Sequence, residues 1–235
     1  MKAPGSRRHL ICSVGIGTPP RDGDPRKGIR EYVYAVAAYQ YQPEDGPYRT
    51  EYAPVAIARL CPAKDALRGA RASVLVTKLA EQHHYDHIAA ELRDAGLEPE
   101  AVRVPDGRSR EEMLAILDTL QQTVLRGEHI TLDVTLALRH LPFVYLAALT
   151  YLVAYKQVKI DGIYYAAFEL HRGSPITPIL DITQLFDLIE WYHAIQSVTD
   201  SGDVRQIADA LGNPPRETYL PGIAPSFMGN VKRSA

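Results

Sequence analysis

With 235 residues, 46% of them hydrophobic, the chain is long enough to bury one substantial core and too short for two full domains. A formal charge of -2 argues against a broad electrostatic footprint for duplex nucleic acid, so any polyanion it binds is expected to be small. Cys12 and Cys61 have no CxxC partner, which argues against a thiolate zinc centre or a disulfide framework and fits a reducing cytoplasm.

In chain order, the first expected strand is His9 to Ile16, reached from the basic stretch Met1 to Arg8 and too short and glycine-punctuated to be a signal peptide. It runs into a loop rich in Gly, Pro and charge up to about Gly28. Glu31 to Gln42 alternates as a second strand, expected to form a hairpin with the first, and Pro43 to Gly46 supplies a turn. Tyr52 to Leu60 is expected as a helix, Ser73 to Val76 as a strand, and His83 to Ala95 as an amphipathic helix closed by Gly96.

Ala101 to Val104 is the next strand, followed by the turn Pro105-Asp106-Gly107. Ser109 and Glu112 have capping-box spacing for a helix running to about Leu125. Ile130 to Val134 is a strand, and Leu141 to about Lys156 is an apolar helix with Pro in its first turn, read as buried because it is too short to span a bilayer. Gly162 to Ala167 and Ile179 to Ile182 are strands, and Gln184 to about Val198 is an amphipathic helix. This alternation predicts an α/β, Rossmann-like domain over residues 1–203, with a mostly parallel sheet and helices on both faces. Residues 204–235 hold one short helix candidate, Val204 to Leu211, and a Pro- and Gly-rich tail.

In such a sheet, ligands gather outside the carboxyl ends of the strands. There the sequence puts Ser13, Gly15, Ile16, Gly17 and Thr18 after the first strand, Thr77 and Lys78 after the one at Val74, and Asp133, Thr135 and Arg139 after the one at Ile130. Backbone amides, hydroxyls and a helix N-terminus make a ready anion site. Each residue also has a plainer reading. Gly15-Ile16-Gly17 serves as a tight turn, because Pro20 stands where a dinucleotide fingerprint needs its third glycine. Lys78 is a solvated lysine, Thr135 a helix cap, and Arg139 the ion partner of Asp133. His83 and His87 have the spacing of a zinc-protease motif, but His84 occupies the place of its glutamate, so no metal is expected and an exposed helix turn is the better reading.

The order of motifs resembles the CRISPR-associated CARF family. The chain carries Val74-Leu75-Val76-Thr77-Lys78, then Pro105-Asp106-Gly107, then Asp133-Val134-Thr135 with Arg139, Leu141, Pro142 and Phe143. Gly162-Ile163-Tyr164-Tyr165 with Ala167, Phe168 and Glu169 follows, and then Asp181-Ile182-Thr183. The likeness covers roughly residues 9–203. One departure is Leu136, where the family commonly has histidine, which removes a titratable group.

The resemblance implies a cytoplasmic homodimer whose two domains share a pocket for a cyclic tetra- or hexa-adenylate, in type III CRISPR antiviral defence. By transfer, the ligand-binding residues are Ser13, Gly15, Ile16, Gly17, Thr18, Thr77, Lys78, Asp106, Thr135, Leu136, Ala137, Arg139, Phe168 and Glu169, with no catalytic residue assigned and no cofactor, metal, membrane or duplex nucleic acid implied. Family members often carry a fused or associated effector such as a HEPN ribonuclease, but no arginine here is followed at the required spacing by its histidine. The alternatives are a ring nuclease that cuts the cyclic oligoadenylate, a Rossmann-type nucleotide-dependent enzyme, and a transcription regulator. The missing third glycine counts against the second, and Pro214-Pro215 interrupts the recognition helix that the third requires.

Overall fold

Arg8–Val14 forms β1, the middle one of five parallel strands within an eight-stranded sheet in the computed structural model, which describes residues 7–16, 34–44, 46–62, 64–137, 140–171 and 175–201. Val204 to Leu211 and the tail lie outside these residues. The remaining strands are β2 (Ala37–Gln40), β3 (Tyr48–Thr50), β4 (Arg71–Val76), β5 (Glu98–Arg103), β6 (His129–Asp133), β7 (Lys159–Ala166) and β8 (Ile176–Asp181). Their order across the sheet is β3-β2-β8-β7-β6-β1-β4-β5. The five strands β5, β4, β1, β6 and β7 pair in parallel, β8 is antiparallel to β7, and β2 pairs in parallel with β8 and antiparallel with β3. This is the expected α/β, Rossmann-like architecture.

The pattern of β1 explains why it lies inside the parallel block. Leu10, Cys12 and Val14 point to one face, where they pack with Ala72, Val74 and Val76 of β4 against Val55 and Ala58 of α1 (Ala53–Leu60) and Ile88 and Leu92 of α3 (Asp86–Asp94). Ser13 points the other way, toward Tyr145 of α5 (Leu141–Lys156). On that second face α5 packs beside α4 (Arg110–Thr123), and Lys156 Nζ closes the end of α4 by donating to the carbonyls of Gln121 and, at 2.6 Å, Val124. α4 starts as expected: Ser109 Oγ accepts the Glu112 amide at 3.2 Å. Both cysteines are buried, and neither is in a disulfide.

The expected hairpin between β1 and the strand in 31–42 does not form. Both edges of β1 are taken, by β4 and β6, so no edge is open to a hairpin partner. β2 turns back instead onto β3, pairing Tyr39 with Tyr48, and three strands separate it from β1. A short helix, α2 (Lys78–Ala80), and a π turn (Glu81–Tyr85) precede α3, so the helical segment starts earlier than expected. The chain divides into two units after Ile182, and the described part of the second is a single helix, α6 (Thr183–Ser201). No helix among the described residues is long and apolar enough to cross a membrane.

Candidate functional site

After β1 the chain crosses to β2 and β3 at the far edge and comes back through α1 to β4 and β5 on one flank of β1, then enters β6 and β7 on the other, so that α1 and α5 lie on opposite faces of the sheet. Loops that diverge from adjacent parallel strands open a crevice between them, here outside the carboxyl ends of β1 and β6. The two loops meet at Gly15, where a Cβ would lie 3.4 Å from the Leu136 carbonyl oxygen and 3.4 Å from the Tyr34 hydroxyl. An added Cβ would already be at van der Waals contact with both.

Asp133 holds the loop after β6. Its side chain is buried, and Oδ1 accepts the Thr135 amide at 2.9 Å and the Thr135 hydroxyl at 2.5 Å. The same hydroxyl oxygen accepts the Ala166 amide at 2.9 Å, so the loop is tied to the end of β7. Oδ2 has no partner, and burial pushes the carboxyl up to about 7 against the pull of the two Thr135 bonds. The hydroxyls of Tyr39 and Tyr145 are likewise buried without partners, and burial raises both phenols, with the nearby Asp133 charge adding to it. Ser13 Oγ lies beside the Tyr145 hydroxyl without the geometry of a hydrogen bond.

On the flank of β4, Thr77 Oγ1 accepts the Ala80 amide at 3.4 Å, and the exposed Lys78 begins α2. In the π turn, His84 is buried: its Nε2 is 3.1 Å from the Ile16 carbonyl and its Nδ1 is 3.3 Å from the Tyr52 hydroxyl. The rings of Tyr34 and His84 lie 4.9 Å apart. The turn at Gly107, with φ of +74°, lies against the start of α5, since a Cβ there would come within 2.9 Å of His140 Nε2.

The chain matches no family profile. Over 91 residues it is 30% identical to a CRISPR-associated protein of Methanocaldococcus jannaschii. The match covers 39% of this chain and 14% of that protein, so the chain corresponds to a small part of its CRISPR-associated relative.

The structure brings Gly15, Ile16, Leu136 and Ala137 together with Thr135 at the crevice, with Thr77 and Lys78 following β4. Ser13 lies within the sheet beside Tyr145, and the Thr135 hydroxyl is already committed to Asp133 and Ala166. Asp106 pairs with Arg108 at 2.6 Å. Phe168 is half-exposed, with its ring 5.8 Å from that of Tyr39. Gly17, Thr18, Arg139 and the side chain of Glu169 lie outside the described residues. Sequence reasoning missed Tyr34, Tyr52 and His84. The only available signal for His84 was its place four residues before Ile88 and eight before Leu92, on the buried stripe of the helix. His87 is exposed, and among the described residues no group of three His, Cys, Asp or Glu side chains is placed to hold a metal ion.

A second constellation imitates a hydrolase triad. Ser73 Oγ is 2.7 Å from His9 Nε2, and His9 Nδ1 is 3.1 Å from Glu128 Oε2. The arrangement is structural. Ser73 and His9 are fully buried, and Ser73 donates its proton to Glu100 at 2.7 Å, leaving none for His9 to accept. Arg71 completes it, reaching Glu100 at 2.7 Å and Glu128 at 3.3 Å. Burial pushes the Glu128 carboxyl up, but bonds from His9 and the Leu125 amide, with the Arg71 charge, bring it below the ordinary value.

Proposed function

We propose that the chain is a sensor domain of type III CRISPR defence, and that the crevice between the loops after β1 and β6 binds a cyclic tetra- or hexa-adenylate shared by two copies of the chain. The observation that carries this reading is the junction at Gly15 and Leu136, which closes the floor of the crevice at the switch point of the sheet. The amides of Gly15, Leu136 and Ala137 donate to no described residue and suit phosphate oxygens, with Lys78 as an exposed cation nearby in the fold. A ring with rotational symmetry suits an isologous interface that offers each contact twice. The likeness to a CRISPR-associated protein supports the same setting. An effector, fused or separate, would read the bound state. The ligand is held rather than rapidly cut, because Leu136 offers no titratable group at the loop.

The test is thermal denaturation of the purified chain with cyclic tetra-adenylate, cyclic hexa-adenylate, linear oligoadenylate and NAD, followed by product analysis. A ligand at a hundred times its Kd adds about 2.7 kcal/mol of stability. A rise with one cyclic ring and with neither NAD nor the linear form is expected. Indifference to every ring would overturn the proposal. Lys78→Ala should weaken binding roughly tenfold at low salt and less at high salt, as expected for a screened contact with phosphate.

A further inference from the structure

The π turn at Glu81–Tyr85 interrupts an otherwise continuous helix directly after Thr77 and Lys78. Such turns are uncommon and concentrate at functional sites. Ala80, His84, Ile88 and Leu92, spaced by four, are all buried. In a straight α-helix four residues advance by about 400°, so a run of such steps drifts round the helix by about 40° each. The π turn winds less per residue and takes out part of that drift, keeping the imidazole on the inner face.

What the imidazole meets there is the loop after β1. The Ile16 carbonyl can only accept, so Nε2 carries the proton and Nδ1 is left to accept from the Tyr52 hydroxyl. Burial lowers the pKa of His84 and favours this neutral form, opposed by the Ile16 bond. His83 and His87 on the same helical segment lower it further, and Glu51 raises it. Tyr34 packs on the same ring at 4.9 Å and on Tyr52 at 5.7 Å, and its hydroxyl stands at the Gly15 junction. His84 therefore touches, directly or through Tyr34, both residues that leave β1.

We propose that His84 is a positioning residue that fastens the Gly15-Ile16 loop to the helix beginning at Lys78, so that the two borders of the crevice are set as one unit. The consequence for ligand affinity rests on the function proposed above; the tether itself does not.

The experiment compares the full chain with its His84→Ala, His84→Gln and His84→Asn variants. Glutamine extends an amide donor about as far as Nε2, whereas asparagine stops near Nδ1. Amide hydrogen exchange is read without ligand at Cys12 to Val14, the end of β1 in its ladder with β4, and affinity for the cyclic adenylate is read in parallel. Exchange at 12–14 should quicken about tenfold in the alanine and asparagine variants, equivalent to about 1.4 kcal/mol, and return to near the wild-type rate with glutamine. Affinity should follow the same order.

Equal exchange in the glutamine and asparagine variants would overturn the tether, and that comparison stands even if the alanine variant fails to fold. If the tether behaves as expected while no cyclic adenylate binds the wild-type chain, the ligand reading falls and the positioning role stands. If the wild-type chain binds and none of the variants differs from it in exchange or affinity, the positioning role falls and the ligand reading stands.

Discussion

Thr135 joins two strands: its hydroxyl oxygen takes the Ala166 amide at 2.9 Å while giving its proton to Asp133 at 2.5 Å. Both groups it serves are buried, so losing the hydroxyl strands an amide and removes a bond from a carboxyl that already has one unpartnered oxygen. Thr135→Val should cost about 1–3 kcal/mol in urea denaturation, and Thr135→Ser should recover most of it. Equal stabilities of the valine and serine variants would remove the hydroxyl from the account.

Asp133 gives a pH dependence of definite sign. Its carboxyl is raised from 3.8 to about 7, so between those values the folded chain keeps a proton that the unfolded chain has lost. The stability this group contributes is fully present below about pH 4 and is lost as pH rises toward 7. Asp133→Asn removes the titration while keeping an acceptor for Thr135. The stability of the wild type relative to this variant should therefore fall across that window, measured as urea midpoints at several pH values. A constant difference would show that the carboxyl titrates normally.

Gly107 and Gly127 form an internal control. Both have positive φ, +74° and +72°, but a Cβ at Gly107 would meet His140 at 2.9 Å and Leu141 at 3.0 Å, whereas one at Gly127 meets nothing within 4 Å. Gly127→Ala should cost only the backbone strain, about 1 kcal/mol, and Gly107→Ala clearly more. Thermal denaturation of the two variants checks the order, and equal losses would mean that the Gly107 turn can move away from α5.

The network of Ser73, His9 and Glu128 should be inert as chemistry and important as structure. A fluorophosphonate probe should leave Ser73 unlabelled in the native chain, because no solvent reaches it. Glu128→Ala removes the acceptor of His9 Nδ1 and of the Leu125 amide and one of the two carboxylates that Arg71 reaches, and should cost about 3–5 kcal/mol. Native-state labelling of Ser73 would contradict the burial on which this rests.

By itself the sequence determined the elements and their class. The apolar run of β1, the cap at Ser109 and the limits of the Leu141 helix are local patterns of side-chain period and end chemistry, and they are legible because neighbours in sequence produce them. The carboxyl-edge loops could be placed for the same reason, since each follows its strand. Only the tertiary structure decided which strands adjoin. The alternation of 31–42 indicates a strand but not its partners, which are β3 and, more than a hundred residues away, β8, because both edges of β1 are occupied. Packing also decided which polar groups are buried: His84 under Ile16, Asp133 under Thr135, and Ser73 between His9 and Glu100. A hydrogen bond across the sheet depends on register between distant strands, and no local period carries that information.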